Sequence, residues 1–345
     1  MSQPRIAVIG LGFMGQRWSR AIAAHHGVEL AVISDVRAEV GERGADELDT
    51  EFVPDPLEAA SRRDVDAVVV CTPEHLHVEA ALAALGAGKA LAVEKPLAHT
   101  VAAAERIRDR AHEAGVPVLA AHVLRFEPRY AAIRQAIEDD EIGAVQAIRS
   151  ERIGLVADQQ ILKGRTSLAL YYGVHEFDLV RWYGGEVATV WAARSRGVVA
   201  AHGHDVDDLY SVGLTLAQGG HGTAMIGWSL PPRVPGFGLA GFTVIGERGV
   251  LQVVQGATGF TRTLADGPSD VDVHYAPEVH GTTYGALGIE VDHFVRCVRG
   301  ETDPVCTASD GVEAVRIALA MEQAADSGAT ITLEGSAGTG GEVRT

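Results

Sequence analysis

The stretch RIAVIGLGFMG, residues 5–15, constrains the chain more than any other. Positions Ile6 to Ile9 are all apolar, so a strand made from them must be covered on both faces. The run breaks at Gly10, Gly12 and Gly15, in the spacing G-x-G-x-x-G, and a helical pattern of Met14, Trp18, Ala21 and Ile22 begins at once. The same rhythm continues through VELAVIS, DAVVVC, ALAVE and PVLAA. Between them Val78, Leu82 and Leu85, and then Val101, Ala104, Ile107 and Ala111, recur at helical spacing, while the stretch before DAVVVC reads as a loop region. Strands apolar on both faces and separated by helices specify a parallel sheet, so residues 1–122 are expected to form a doubly wound α/β domain.

After about residue 122 the pattern changes. AVQAIRSER, EVATVWAARSR, LYSVGLTLAQ, HGTAMIGWSL, GFTVIGERGVLQVV and FTRTLA are longer alternating runs joined by glycine-rich turns such as QGGHG and GERG, which favour antiparallel pairing. Helical spacing recurs at Tyr130, Ile133 and Ile137, over residues 175–183, at Leu287, Val291, Phe294 and Val298, and at Val312, Val315 and Leu319. The expectation is a second, α+β domain over 123–333 with an open, largely antiparallel sheet. Residues 334–345, EGSAGTGGEVRT, hold no core-forming side chains and are expected to be disordered.

A glycine pattern alone is weak in a chain with 40 glycines. Here it follows the first strand and opens a helix, the context in which Gly10 permits the turn, Gly12 lets a pyrophosphate approach the backbone and Gly15 allows close packing. Phe13 and Met14, inside the motif, are counted with the cofactor-binding residues. Asp35, twenty residues after Gly15 at the end of the second run, is placed to accept hydrogen bonds from ribose hydroxyls and to repel a 2'-phosphate. NAD is therefore favoured, and Arg37 beside it leaves NADP possible.

Bulk composition removes other classes. Against 29 Lys plus Arg stand 46 Asp plus Glu, a net charge of -17, so the overall field repels nucleic acid and anionic membranes. No apolar run approaches the ~18 residues of a membrane span. Three cysteines, Cys71, Cys297 and Cys306, fall in apolar or helical contexts and read as reduced core thiols. With no signal-peptide pattern before RIAVIG, the reading is a soluble, cytoplasmic protein.

Lys95 follows the run Ala90 to Glu94 and precedes Pro96, which biases it toward extended backbone. It lies at the strand edge where ligands of doubly wound sheets bind. A lysine there, partly buried beside a cationic nicotinamide, is suited to exchange a proton with a substrate oxygen. Pairing with Glu94 or simple solvation is the plainer alternative.

The motifs GLGFMG, CTPEHLH, AGKALAVEKPLA, RFEPRY and GVHEFDLVRWYGG, with the late segment EVDHFVRCVRGETDPVCTASDGVEAV, together resemble the Gfo/Idh/MocA oxidoreductases over residues 5 to about 333. The resemblance implies a Rossmann domain followed by a substrate-binding sheet domain that commonly builds homodimers or homotetramers. It implies that Lys95 and His175 meet the reacting hydroxyl or carbonyl, that Thr72, Pro73 and His77 pack along the nicotinamide side, and that Glu94 helps hold its ribose. Many sugar and cyclitol dehydrogenases of the group carry an aspartate four residues before the histidine, where this chain has Tyr171. That tyrosine either donates a hydrogen bond or, with Tyr172, lines the wall. Asp178 reads as a packing contact.

The expectation is an NAD(H)-dependent oxidoreductase that moves hydride between nicotinamide and a secondary alcohol or ketone of a sugar, sugar derivative or cyclitol, with the substrate class resting on the resemblance. Two alternatives stay open: an enzyme using tightly bound NAD transiently, as a glycosidase or epimerase-like member does, and a non-catalytic dinucleotide-binding regulator. AHGHDVDD places His202 and His204 on one face of an extended loop. Nothing else completes a set of about four ligands, so no metal is expected.

Overall fold

A computed structural model describes residues 3–156, 165–231, 238–254, 261–264, 267–270 and 272–333. The chain divides into two compact units, Met1–Pro128 with Asp272–Val315, and Arg129–Val271 with Arg316–Thr345.

The first unit is built on a six-stranded sheet of β1 (Arg5–Ile9), β2 (Glu29–Ser34), β3 (Glu51–Phe52), β4 (Ala67–Val70), β5 (Ala90–Glu94) and β6 (Val118–Ala121). Its order is β3-β2-β1-β4-β5-β6 and every pairing is parallel. The chain winds outward one way from β1 and, after β3, returns to wind the other way from β4. The crevice between β1 and β4 is therefore the switch point where doubly wound sheets take ligands. Ile6 to Ile9, Ala67 to Val70 and Leu91 to Val93 are fully buried, as strands apolar on both faces must be.

Helices α1 (Phe13–Ala23), α2 (Ala38–Leu48), α3 (Pro56–Ser61), α4 (His77–Gly86) and α5 (Val101–Ala114) connect these strands. Local chemistry sets their ends. Asp55 accepts from the backbone amides of Leu57 and Glu58 and Pro56 opens α3, while Thr100 accepts from Ala103 N and Gly115, in the left-handed region, closes α5. The stretch expected to be a loop contains α2, β3 and α3. Helix α2 fully buries only Gly41, on which the Phe52 ring lies so closely that a Cβ there would come within 1.9 Å of it, while Val40, Ala45 and Leu48 are half-buried against the core.

One segment joins a different core from the one expected. Residues 272–315, assigned from sequence to the 123–333 domain, cluster with the first unit. Helix Gly285–Val298 buries Leu287, Val291, Phe294 and Val295 in the same cluster as Ile6, Val8 and Trp18, and the Trp18 and Phe294 rings meet edge-on at 6.4 Å. Helical spacing identifies an apolar face without saying which core receives it.

The second unit carries a seven-stranded sheet of β7 (Val145–Leu155), β8 (Val187–Ser195), β9 (Leu209–Leu216), β10 (His221–Leu230), β11 (Leu239–Gly246), β12 (Val250–Val254) and the edge strand Ile331–Thr332, in the order β12-β11-β7-β10-β9-β8-edge. Only β7 and β10 pair in parallel; the remaining pairs are antiparallel. Alternation sends Ile148, Val190, Val212, Ile226, Phe242 and Val244 into the core. Helix Val174–Gly184 packs there, with Tyr183 edge-on to Phe242 at 5.3 Å. In FTRTLA, Thr261–Leu264 pairs with Gly267–Asp270. The expected disordered tail, 334–345, lies outside the described residues.

Replacing Phe294 by Ala should cost about 3–5 kcal/mol in urea unfolding, whereas Ile289→Ala, 45% exposed on the same helix, should stay within roughly 0.5 kcal/mol. Equal losses would show that this helix is not held by its Phe294 face.

Candidate functional site

The glycine loop is fixed by contact between backbones. Gly10 has φ +90°, and a Cβ there would lie 2.8 Å from the Cys71 carbonyl group. At Gly15 it would lie 1.7 Å from Gly10 O, so the first turn of α1 rests directly on the strand that precedes it. Gly12 differs: nothing lies within 4 Å of its Cβ position, and as N-cap it leaves α1 without a side-chain cap. Open space over uncapped helix amides is what an incoming pyrophosphate requires. Phe13 is exposed with the Arg17 guanidinium 3.6 Å from its ring centroid, and Met14 is half-buried with Tyr275 Oη donating to its sulfur at 3.0 Å.

Asp35 ends β2 and is buried. Its Oδ2 accepts from Leu11 N at 2.8 Å and Arg37 Nη2 at 3.0 Å, and its Oδ1 from Arg37 N and Nε at 2.9 Å each. Burial alone would raise its pKa, but the hydrogen bonds from Arg37 and Leu11 outweigh that and hold the carboxyl below its ordinary value. Asp35 thus anchors the glycine loop through Leu11, and Arg37 engages both of its carboxyl oxygens.

The ends of β4 and β5 form the other half of this edge. Thr72 Oγ1 is buried and has no hydrogen-bond partner among the described residues. His77 is buried, its Nε2 2.7 Å from Thr72 O and its Nδ1 2.9 Å from Pro96 O. A neutral imidazole donates to only one of these carbonyls. Burial, the larger influence, lowers the His77 pKa despite both contacts, and the ring lies between the Thr72–Pro73 loop and Pro96. Lys95 is half-buried, directly after Glu94. Glu94 is buried and turned inward: Oε1 accepts from Trp18 Nε1 at 2.9 Å and Oε2 from Lys95 N at 3.1 Å. Burial raises its pKa, opposed by the Trp18 bond and the Lys95 charge.

Tyr171 and His175 belong to the second unit. Residues Ala169–Gly173 form a π turn that runs into helix Val174–Gly184. Tyr171 and Tyr172 are half-buried, their rings 4.8 Å apart, and each approaches the buried Trp228, at 6.1 and 6.4 Å. His175 is half-buried on the next turn and Asp178 is buried. Beside it the buried Glu176 pairs with Arg152 of β7, which keeps a small exposed fraction. Burial pushes the Glu176 pKa up and the Arg152 guanidinium opposes it.

The carboxylates of AHGHDVDD are committed within the protein. Asp207 takes Arg194, Arg196 and the Tyr210 hydroxyl, Asp208 takes the amides of Val198 and Val199, and His202 Nδ1 lies 3.0 Å from Val198 O. Among the described residues no cluster of three or more His, Cys, Asp or Glu is placed to hold a metal ion, and no helix is long and apolar enough to cross a membrane.

Sequence reasoning passed over Trp18, Glu290, Arg152, Glu176 and Trp228. Trp18 and Trp228 read as ordinary apolar positions. Glu290 did leave a signal, as an acid on the apolar face marked by Leu287, Val291 and Phe294.

The sequence matches the family described as "Oxidoreductase family, NAD-binding Rossmann fold" over residues 4–122, and its companion "Oxidoreductase family, C-terminal alpha/beta domain" over 134–333. The chain belongs to the Gfo/Idh/MocA family. It is similar to 4-carboxy-2-hydroxymuconate-6-semialdehyde dehydrogenase of a Sphingobium species, 31% identical over 188 residues, which is 53% of this chain and 60% of that enzyme. It is also similar to scyllo-inositol 2-dehydrogenase (NAD(+)) of Bacillus subtilis, 25% identical over 340 residues, 96% of this chain and 97% of that one. In fold it matches the crystal structure of scyllo-inositol dehydrogenase from Lactobacillus casei with bound NAD(H) and scyllo-inositol, with a TM-score of 0.80 and 22% identity over 96% of this chain and 99% of that chain.

The family's NAD-binding domain gives the expected role of Asp35 a test. Asp35→Ser should weaken NAD binding by on the order of tenfold, roughly one hydrogen bond to a charged group, and narrow the gap to NADP. Fluorescence titration of both cofactors checks this. A wild type that prefers NADP would show that Arg37 outweighs the acid.

Proposed function

We propose that this protein transfers hydride between NAD(H) and a secondary alcohol or ketone carbon of a cyclitol, sugar or sugar derivative. The single observation that carries the reading is Lys95, half-buried at the C-terminal end of β5 on the same sheet edge as the open glycine loop and the unpartnered Thr72 hydroxyl. The polyol class is supported by the inositol dehydrogenases to which the chain is similar.

Bound NAD supplies the hydride acceptor. The alcohol oxygen must lose its proton as hydride leaves carbon, and Lys95 is the group proposed to take it, with His175 positioning the oxygen or passing the proton onward. Tyr171 stands where many relatives carry the aspartate paired with that histidine, and its phenol adds one hydrogen bond. Gly10, Gly12, Phe13, Met14, Gly15, Asp35 and Arg37 are proposed to hold the adenosine and pyrophosphate half, and Thr72, Pro73, His77, Glu94 and Lys95 the nicotinamide riboside half.

A cytoplasmic setting is supported by three free thiols, Cys71, Cys297 and Cys306. A homodimer or homotetramer is supported by the solvent face of the seven-stranded sheet, where Trp191, Met225, Ile245, Val250 and Val254 are exposed. Cross-strand register puts Trp191, Arg149, Thr243 and Gln252 in one row of that face, and the other four alternate with it.

Mixing the protein with NAD and a panel of polyols should produce NADH, followed by absorbance; turnover without NADH accumulation would refute a simple dehydrogenase. Lys95→Met should lower turnover on the order of 10²- to 10⁴-fold with cofactor binding nearly intact, and Tyr171→Phe by about tenfold. A Tyr171→Phe enzyme as slow as the lysine variant would move the proton chemistry to the tyrosine.

A further inference from the structure

Asp35 accepts four hydrogen bonds, about as many as a carboxylate can take. Two come from backbone amides, Leu11 N at 2.8 Å and Arg37 N at 2.9 Å. The other two come from one guanidinium, Arg37 Nε at 2.9 Å on Oδ1 and Nη2 at 3.0 Å on Oδ2. A ribose that offers its hydroxyls to this acid therefore finds the acceptor positions taken.

The four donors are not equally free to leave. Leu11 N belongs to the glycine loop, whose course is set by the close contacts at Gly10 and Gly15. The backbone of Arg37 is fixed on both sides, since its N–H is on Asp35 and its carbonyl accepts from Val40 N and Gly41 N as α2 begins. The side chain is different. It is 53% exposed, and the neighbouring Val36 is 80% exposed, so rotation about its own bonds carries the guanidinium into solvent without moving the chain. That rotation vacates one acceptor position on each oxygen of Asp35, the arrangement that two adjacent ribose hydroxyls would use.

We propose that Arg37 is a latch on the ribose site: its guanidinium fills the acceptor positions of Asp35 in the free protein, turns aside to admit the adenosine ribose, and lands on the 2'-phosphate where the ribose carries one. This rests on the proposed seating of the adenosine half at Asp35.

NAD and NADP meet the latch with opposite results. NAD must displace the guanidinium and gives it no anion at the ribose in return, so Arg37 weakens NAD. NADP supplies a doubly charged partner for the displaced fork, and α2, which starts at Arg37 without a side-chain cap, adds free amides on the same side. Glu39, exposed in that first turn, opposes the phosphate and limits the gain. Arg37 is thus a specificity-determining residue that holds the phosphorylated ribose and yields to the plain one. Asp35, engaged by it, excludes NADP less strongly than its charge alone would.

Fluorescence titration of the wild type, Arg37→Ala, Asp35→Ser and the double variant with NAD and with NADP tests the latch. Arg37→Ala should tighten NAD by roughly three- to tenfold, the strength of an exposed ion pair with good geometry, and weaken NADP by about tenfold or more. In the Asp35→Ser background the same change should leave NAD affinity where it was, because no latch remains to be removed. NAD weakened or unchanged by Arg37→Ala, or tightened equally in both backgrounds, would overturn the latch, and unchanged NADP affinity would overturn the phosphate contact. Should the variants fail to fold, a crystal structure of the wild type with NAD decides. Ribose hydroxyls on Asp35 with the guanidinium turned away are expected, and a guanidinium still on both oxygens refutes the proposal. Binding without these differences defeats the latch alone, whereas failure of the wild type to bind either cofactor defeats the dinucleotide reading with it.

Discussion

The first unit depends on one close approach. Because a Cβ at Gly15 would sit 1.7 Å from Gly10 O, α1 starts against the backbone of the turn it leaves, and its uncapped amides are aimed over the β1–β4 crevice. That placement also sets Trp18, one turn further on, with its indole N–H on Glu94. Tight turn, helix direction and the orientation of a buried acid on a strand two places away in the sheet are thus consequences of one steric condition. No side chain larger than hydrogen satisfies it.

Trp18 in turn has an electrostatic effect. Glu94 is turned inward, and the same carboxyl that accepts the indole proton also accepts the Lys95 backbone N–H. The peptide that presents Lys95 is therefore fixed by the acid beside it, and the loop on the other side is fixed by His77 between Thr72 and Pro96. A half-buried lysine between two pinned segments has little freedom left in its backbone, so the point from which its side chain starts is defined.

The legibility of these features in the sequence depends on their physics. Strands of the first unit were readable because a doubly covered sheet demands apolar residues at every position, as in Ile6 to Ile9 and Ala67 to Val70. The glycine motif was readable because its spacing meets backbone constraints that no other residue can. The segment 36–64 was not, since α2 fully buries only Gly41 and meets the core through three half-buried side chains, Val40, Ala45 and Leu48, set among charged residues. Nor was the home of residues 272–315, because Phe294 and Val291 announce a buried face and leave its partner unspecified. The engagement of Asp35 by Arg37 and of Glu94 by Trp18 depends on side-chain directions that no one-dimensional pattern carries. The buried Arg152–Glu176 pair was hidden for the same reason: its members are 24 residues apart and each reads singly as a surface charge.

In a parallel sheet covered on both faces, water reaches the strands only at their ends. Every polar group the first unit needs for chemistry must therefore come at the first position after an apolar run, or the last within it. Asp35 follows Ile33 and Ser34, Thr72 follows Val70 and Cys71, and Glu94 and Lys95 follow Ala92 and Val93. These residues converge because parallel strands all end on the same edge. The hydrophobic core thus does more than stabilise: by barring ionisable groups from the strand interiors, it concentrates them in one row, close enough to alter each other's charge.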